Sequence, residues 1–240
     1  MDKPEDFKKL GISPDRVELW EEGRREPAKA GSNEVWYFDG TMKDGSKFSI
    51  GFRPKAPNKM NVDKDSPNMN IIITTPDGRE LSDFRYYTAD ESYTGEGEGC
   101  DLKYGADTAK GNFKQYDIHV ESANDIGVDL RYEAGINVFG DNEEMHHTDL
   151  AVVKNSVTGI LFYDGKKHRV QGYGYHDHQW MNINPMMVYH HWLWGRMYTE
   201  KYTVYIYDFV TSEDYGFKQL PMFSLIENET GKIIFQTEGN

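Results

Sequence analysis

The turn signals constrain this chain most. Asp44-Gly45, Asp77-Gly78 and Asp164-Gly165 each fall between short runs in which apolar residues alternate with polar ones. Asp-Gly accepts the positive φ that a tight hairpin needs, and a two-residue alternation turns one face of a strand towards a core. Lys47–Arg53 carries Phe48, Ile50 and Phe52 at that spacing. Asn70–Thr75 and Leu81–Tyr87 flank Asp77-Gly78, and Thr158–Tyr163 and Lys167–Gln171 flank Asp164-Gly165. Phe113–Glu121, Val128–Glu133, Asp149–Lys154, Lys201–Val210, Met222–Ile226 and Ile233–Gln236 continue the pattern. About a dozen short strands joined by tight turns predict an all-β, antiparallel, barrel- or sandwich-like fold.

Two stretches depart from this pattern. Ser13-Pro14-Asp15 reads as the start of a short N-terminal helix, with a capping serine, proline at the first position and an acid in the first turn. Val17, Leu19 and Trp20 would give it an apolar patch against the outside of the β body, before a charged exit at Glu21–Glu26. Thr88–Gly111 is rich in glycine and acids and shows no convincing period, which favours a solvated surface loop over a lid.

Composition narrows the function. The 240 residues include 16 Tyr, 12 Phe and 5 Trp, enough rings to line both a core and an apolar ligand pocket. A net charge of −13 and the absence of a basic stripe argue against nucleic acid and against an anionic membrane surface. A single cysteine, Cys100, excludes an intrachain disulfide and suits a reducing, cytoplasmic setting. Met1–Leu10 lacks an apolar run, so neither a signal peptide nor membrane insertion is expected.

Chemistry concentrates in Gly172–Trp180, Gly-Tyr-Gly-Tyr-His-Asp-His-Gln-Trp. On a strand, Tyr173, Tyr175, Asp177 and Gln179 share one face, and His176, His178 and Trp180 share the other. Facing into an apolar barrel, Asp177 would be desolvated; its pKa would rise, and a carboxyl that keeps its proton can protonate a substrate. The competing reading is a structural aspartate that accepts bonds from its neighbours. His176 and His178 could relay protons, ligate a metal with His146, His147, Asp149, His190 or His191, or simply bond neighbouring strands. Their spacing fits no zinc signature, so no metal is assigned. His190, Trp192, Trp194 and Arg196 would share a strand face, as a pocket wall or as a core strand capped by a cation–π contact. Trp36 has the same two readings.

These motifs occur in a familiar order. Glu34-x-Trp36-Tyr37-Phe38-Asp39-Gly40 with Asp44-Gly45, Cys100–Gly105 with Gly111 and Tyr116-x-Ile118, Gly127-Val128-Asp129-Leu130, Gly172–Trp180, and Trp192-x-Trp194-Gly195-Arg196 follow one another. Over about residues 34–235 the chain resembles the lipocalin-like hydratase and cyclase superfamily, which takes in carotenoid 1,2-hydratases, kievitone hydratase, AttH-type proteins and fungal Diels–Alderases. The resemblance implies two packed lipocalin-like (calycin-type) barrels, an apolar pocket and no organic cofactor. It gives Asp177 the role of proton donor to a carbon–carbon double bond, with Tyr175 assisting.

The expected organisation is a helical lead over 1–33, a lipocalin-like β domain over 34–183, and an abbreviated second β-barrel or sheet over 184–240. Its open strand edges could be covered in a homodimer. The expected function is a cofactor-independent lyase or isomerase acting on an apolar, unsaturated small molecule. Asp177, Tyr175, His176 and His178 would be catalytic; Trp36, Tyr173, His147, His191, Trp192, Trp194 and Arg196 would bind substrate. A non-catalytic carrier of a hydrophobic ligand and a histidine-dependent metalloenzyme are the alternatives.

Overall fold

A computed structural model of the protein describes residues 5, 7–8, 11–13, 16–135, 139–143 and 147–238. The described chain is almost entirely β. Four strands open it: β1 (Asn33–Met42), β2 (Lys47–Arg53), β3 (Asn68–Thr74) and β4 (Glu80–Tyr86). Shorter strands follow, β5 (Ser92–Thr94), β6 (Cys100–Tyr104), β7 (Asp107–Gly111) and β8 (Gln115–Val120). Then come β9 (Gly127–Ala134), β10 (Phe139–Glu143) and the two longest, β11 (His147–Tyr163) and β12 (Lys166–Met181). These twelve form one antiparallel sheet in the order β4-β3-β2-β1-β12-β11-β9-β8-β7-β6-β5, with β10 paired to β11. Its twist curls it into a half-barrel. The last four strands, β13 (Tyr189–Tyr198), β14 (Tyr202–Thr211), β15 (Gln219–Glu227) and β16 (Ile233–Glu238), form a separate antiparallel meander.

The hairpin signals work as their chemistry predicts. Asp164 and Gly165, with φ of 52° and 66°, turn β11 into β12. That hairpin places the Gly172–Trp180 segment of β12 between β11 and β1, in the middle of the large sheet. A sheet centre is where a strand's two faces are both covered, which is why this segment can hold buried polar groups.

The concave face of the large sheet encloses the main core, including Phe38, Phe48, Ile50, Phe52, Ile71 and Tyr104. A second, smaller cluster lies between the two sheets and includes Val153, Tyr175, Tyr205, Tyr207 and Ile226. Asp39 on β1 and Arg196 on β13 form an ion pair that ties one sheet to the other. Among the described residues no helix is long and apolar enough to cross a membrane.

Two sequence expectations need correction. Thr88–Gly111 is not an open loop: it supplies β5, β6 and β7. Cys100, Leu102, Tyr104 and Ala109 point inward in short strands whose glycines and acids obscured the alternation. The N-terminal lead also differs. Pro14 and Asp15 lie outside the described residues; the chain after them is extended and then makes a single 3₁₀ turn at Leu19–Glu22. Glu21 and Glu22 are not a charged exit but are buried. The Glu21 carboxylate accepts from the Glu18 amide of its own turn, and that of Glu22 meets His176 of the β body.

Candidate active site

β12 pairs with β1 so that Trp36, Phe38, His176 and His178 lie on the core side, and Tyr37, Asp39, Tyr175, Asp177 and Gln179 on the other. The parity expected within Gly172–Trp180 is therefore present. What differs is the destination of each face. The histidine face, not the Asp177 face, looks into the half-barrel. Asp177 looks outward, into the crevice between the large sheet and β13–β14.

On the core side the histidines are stacked and bonded. Trp36 lies 4.2 Å from His178 at an interplanar angle of 11°, and Phe38 lies 4.1 Å from His176 at 13°. His178 Nδ1 donates to the Glu21 carbonyl at 3.0 Å, so its other nitrogen, 2.9 Å from Glu34 Oε1, must accept if the ring is neutral. That requires the proton to sit on Glu34. Burial drives both groups that way, lowering His178 to about 3 and raising Glu34 to about 8 against the bonds that Glu34 accepts from the Arg25 and Glu26 amides. His176 has the same placement of contacts, with Nδ1 2.9 Å from the Tyr37 carbonyl and Nε2 2.7 Å from Glu22 Oε1. Trp36 Nε1 donates to the Glu22 carbonyl at 3.0 Å. The two histidines thus dock the segment before β1 onto the sheet.

On the crevice side Asp177 is 2 % exposed. Its Oδ2 accepts from the Tyr175 hydroxyl at 2.7 Å and from Gln179 Nε2 at 3.0 Å, all three side chains standing on one strand face two residues apart. The Tyr175 hydroxyl is 3.0 Å from that of Tyr205 on β14, and because Tyr175 gives its proton to Asp177, Tyr205 donates to Tyr175. The Arg196 guanidinium carbon sits 4.7 Å above the Tyr175 ring, with Nε donating to the Tyr198 hydroxyl. Burial pushes the Asp177 carboxyl up to about 6, held back by the Tyr175 bond, His176 and Gln179. Tyr37, on the neighbouring strand, has its phenol held well above the usual range by burial and by the charges of Asp39 and Asp177.

Asp177, Gln179, Tyr37 and Arg53 from the large sheet, and Trp192, Trp194, Tyr207 and Phe209 from the second, wall a cavity of about 460 Å³. That volume lies within the usual range for a small-molecule site. Of the lining residues Asp177 and Trp194, two buried polar atoms, Asp177 Oδ1 and Trp194 Nε1, have no hydrogen-bond partner among the described residues. With both donors on Oδ2, a proton taken up by Asp177 is carried on Oδ1.

The cavity therefore brings together Asp177, Trp192 and Trp194 of the residues picked from sequence, with Tyr175 and Arg196 directly behind them. Trp36, His176 and His178 are on the far side of the sheet and do not line it. Tyr173 is 43 % exposed and packs on Tyr198 and Lys154 beyond the cavity. His191 is exposed and lies against His190, past a bulge that shifts the register of β13. The backbone of His147 pairs with Met181, but its side chain, like all of His146, is outside the described residues. Among the described residues no three His, Cys, Asp or Glu groups are placed to hold a metal ion. Sequence reading overlooked Tyr37, Arg53, Gln179 and Tyr205. Gln179 was within reach, because strand parity puts it on the Asp177 face; Tyr37 reaches that face through the pairing of β1 with β12, and Tyr205 comes from a strand that only the packing of the second sheet brings near.

An AttH-like protein of Nitrosomonas europaea superposes with a TM-score of 0.68 at 15% identity, covering 91% of this chain and 74% of that one. CghA, solved with Sch210972, gives 0.65 at 17% identity, covering 85% and 60%. Kievitone hydratase from Nectria haematococca gives 0.62 at 12% identity, covering 88% and 65%. The chain has their fold. At such identities the likeness extends to the fold alone, and the chain spans between 60% and 74% of the length of these three proteins. No family model and no curated protein sequence matches the chain.

Proposed function

We propose that this protein is a lyase or isomerase of the hydratase or cyclase type, working by proton transfer at a double bond of an apolar, unsaturated small molecule. The observation that carries this reading is Asp177: a buried carboxyl on the wall of a largely aromatic cavity, with both its hydrogen-bond donors on one oxygen. In the protonated form Oδ1–H would give its proton to an sp² carbon. Tyr175 and Gln179 stabilise the carboxylate left behind through Oδ2, and Tyr205 supports Tyr175. The faces of Tyr37, Trp194 and Tyr207 favour positive charge developing on the substrate carbon and keep water at a distance. Capture of that carbon by water would be hydration, capture by a second double bond would be cyclisation, and direct loss of a different proton would be isomerisation; in each case the proton lost to discharge the cation returns to the Asp177 carboxylate. No organic cofactor is needed for any of the three. A hydratase among the proteins of this fold is consistent with the proposal.

The test is turnover in deuterated water of isoprenoid, polyketide and flavonoid-like candidates, read by mass spectrometry. One solvent deuteron should enter carbon in the product, and Asp177→Asn should abolish this while leaving near-ultraviolet circular dichroism unchanged. Turnover near the wild-type rate by a folded Asp177→Asn protein would contradict the acid role. Tight binding of such molecules with no turnover would make the protein a carrier.

A further inference from the structure

Arg53 is the one cationic side chain among the residues lining the cavity, the proton-transfer scheme leaves it unused, and its surroundings are specific. It ends β2 on the same face as Gly51. Asp177, Tyr37, Gly51 and Asn70 are register partners across four adjacent strands, β12, β1, β2 and β3. Three of these four carry side chains over the sheet. Gly51 does not, and the Arg53 guanidinium folds back into the gap. A Cβ at position 51 would come within 2.7 Å of Arg53 Nη1 and 2.8 Å of Asn70 Oδ1. Glycine inside a strand marks such a close approach. Nη1 donates to Asn70 Oδ1, and this is the only hydrogen bond of Arg53 among the described residues. No ion pair involves it there either. A guanidinium has five N–H groups in a planar fork suited to two oxygens at once. Here most of that fork is unspent, on the wall of a cavity lined otherwise mainly by aromatic rings, methionines and prolines. A cation held this way is costly unless an anion joins it.

We propose that Arg53 anchors an oxyanion of the substrate, so that the molecule taken by this cavity is an apolar, unsaturated acid or enolate rather than a hydrocarbon or a neutral alcohol. The inference rests on the cavity being the substrate site. With strands about 4.8 Å apart, the Gly51 and Asp177 positions are about 10 Å apart. The anchored oxygen and the protonated carbon therefore lie several bonds from one another, and Tyr37, between them in the row, faces the connecting part. The net charge of −13 would repel an anion at a distance, so affinity for one has to come from a local cation such as this.

The experiment uses two fluorescent probes with the same rings, anionic 8-anilinonaphthalene-1-sulfonate and neutral N-phenyl-1-naphthylamine. Wild-type protein should prefer the anionic probe. Arg53→Met should weaken that probe at least tenfold and change the neutral one by less than twofold. Gly51→Ala, which keeps the charge but displaces the guanidinium, should weaken the anionic probe in the same selective way. Arg53→Lys should fall between, since a point charge replaces the fork. No preference in the wild type, an equal loss of both probes in the folded variants, or no loss of either would overturn the assignment. Should Arg53→Met not fold, the Gly51→Ala and Arg53→Lys arms decide it by the same criterion. A wild type with no preference for the anionic probe but with deuterium incorporation intact would remove only the role of Arg53. Loss of incorporation in Asp177→Asn with selectivity preserved would leave it standing.

Discussion

Asp177→Asn should make the protein more stable at neutral pH. The carboxyl titrates at about 6 in the folded protein because burial disfavours its charge, against 3.8 for a free side chain. The folded state thus holds the proton more tightly than the unfolded state. Between about pH 4 and pH 6 the native protein binds more protons, so stability falls as pH rises through that window and the full cost remains above it. At roughly 1 kcal/mol or somewhat more per pKa unit, the ionised side chain costs about 3 kcal/mol at pH 7, about half of that at pH 5 and little at pH 4. Asparagine keeps the shape and can still accept from Tyr175 and Gln179, but carries no charge to desolvate. For a chain of this length the gain at pH 7 corresponds to a rise in Tm of about 6–12 °C. Thermal unfolding followed by circular dichroism at pH 4, 5 and 7, wild type beside variant, measures the difference directly. The gap should be largest at pH 7 and nearly closed at pH 4. A variant that is less stable than wild type by the same amount at every pH would refute the reasoning and make Asp177 a structural tie between strands.

Removing the Tyr175 hydroxyl removes a bond to the charged form of Asp177. Such a bond contributes about 1.5–3 kcal/mol, so Tyr175→Phe should raise the Asp177 midpoint by about 1–2 units, visible in a carboxyl ¹³C titration; a fall would contradict the hydrogen-bond assignment. Glu34→Ala leaves His178 Nε2 and the Arg25 and Glu26 amides without their buried partner, which should cost at least about 3 kcal/mol in urea unfolding. The same change should leave cavity ligand affinity near wild type, because Glu34 sits on the opposite face of the sheet.

How much of this could be read in advance differs by element. Period-two alternation made the two faces of Gly172–Trp180 legible, since no other regular backbone separates neighbours so cleanly. It could not say which face turns inward. That depends on the curl of the large sheet and on β13–β14 covering its outside, both consequences of pairing between distant strands. Glu21 and Glu22 read as solvated because charged residues usually are. Their burial follows from meeting His176 and His178, pairings across more than a hundred positions in the chain. Arg53 looked like the polar end of a strand, and only the missing side chain at Gly51 shows why its guanidinium turns back over the sheet. Trp36 shows the opposite error: an aromatic residue in a dense motif was given to the pocket when it belongs to the core.

The central claim is that Asp177 can hold a proton near neutrality on the wall of the cavity. The ¹³C titration of its carboxyl, with the resonance identified by its absence from Asp177→Asn, tests this most directly. A midpoint near 6 is the predicted result. A midpoint at or below 4, the range of an ordinary aspartate, would contradict the account.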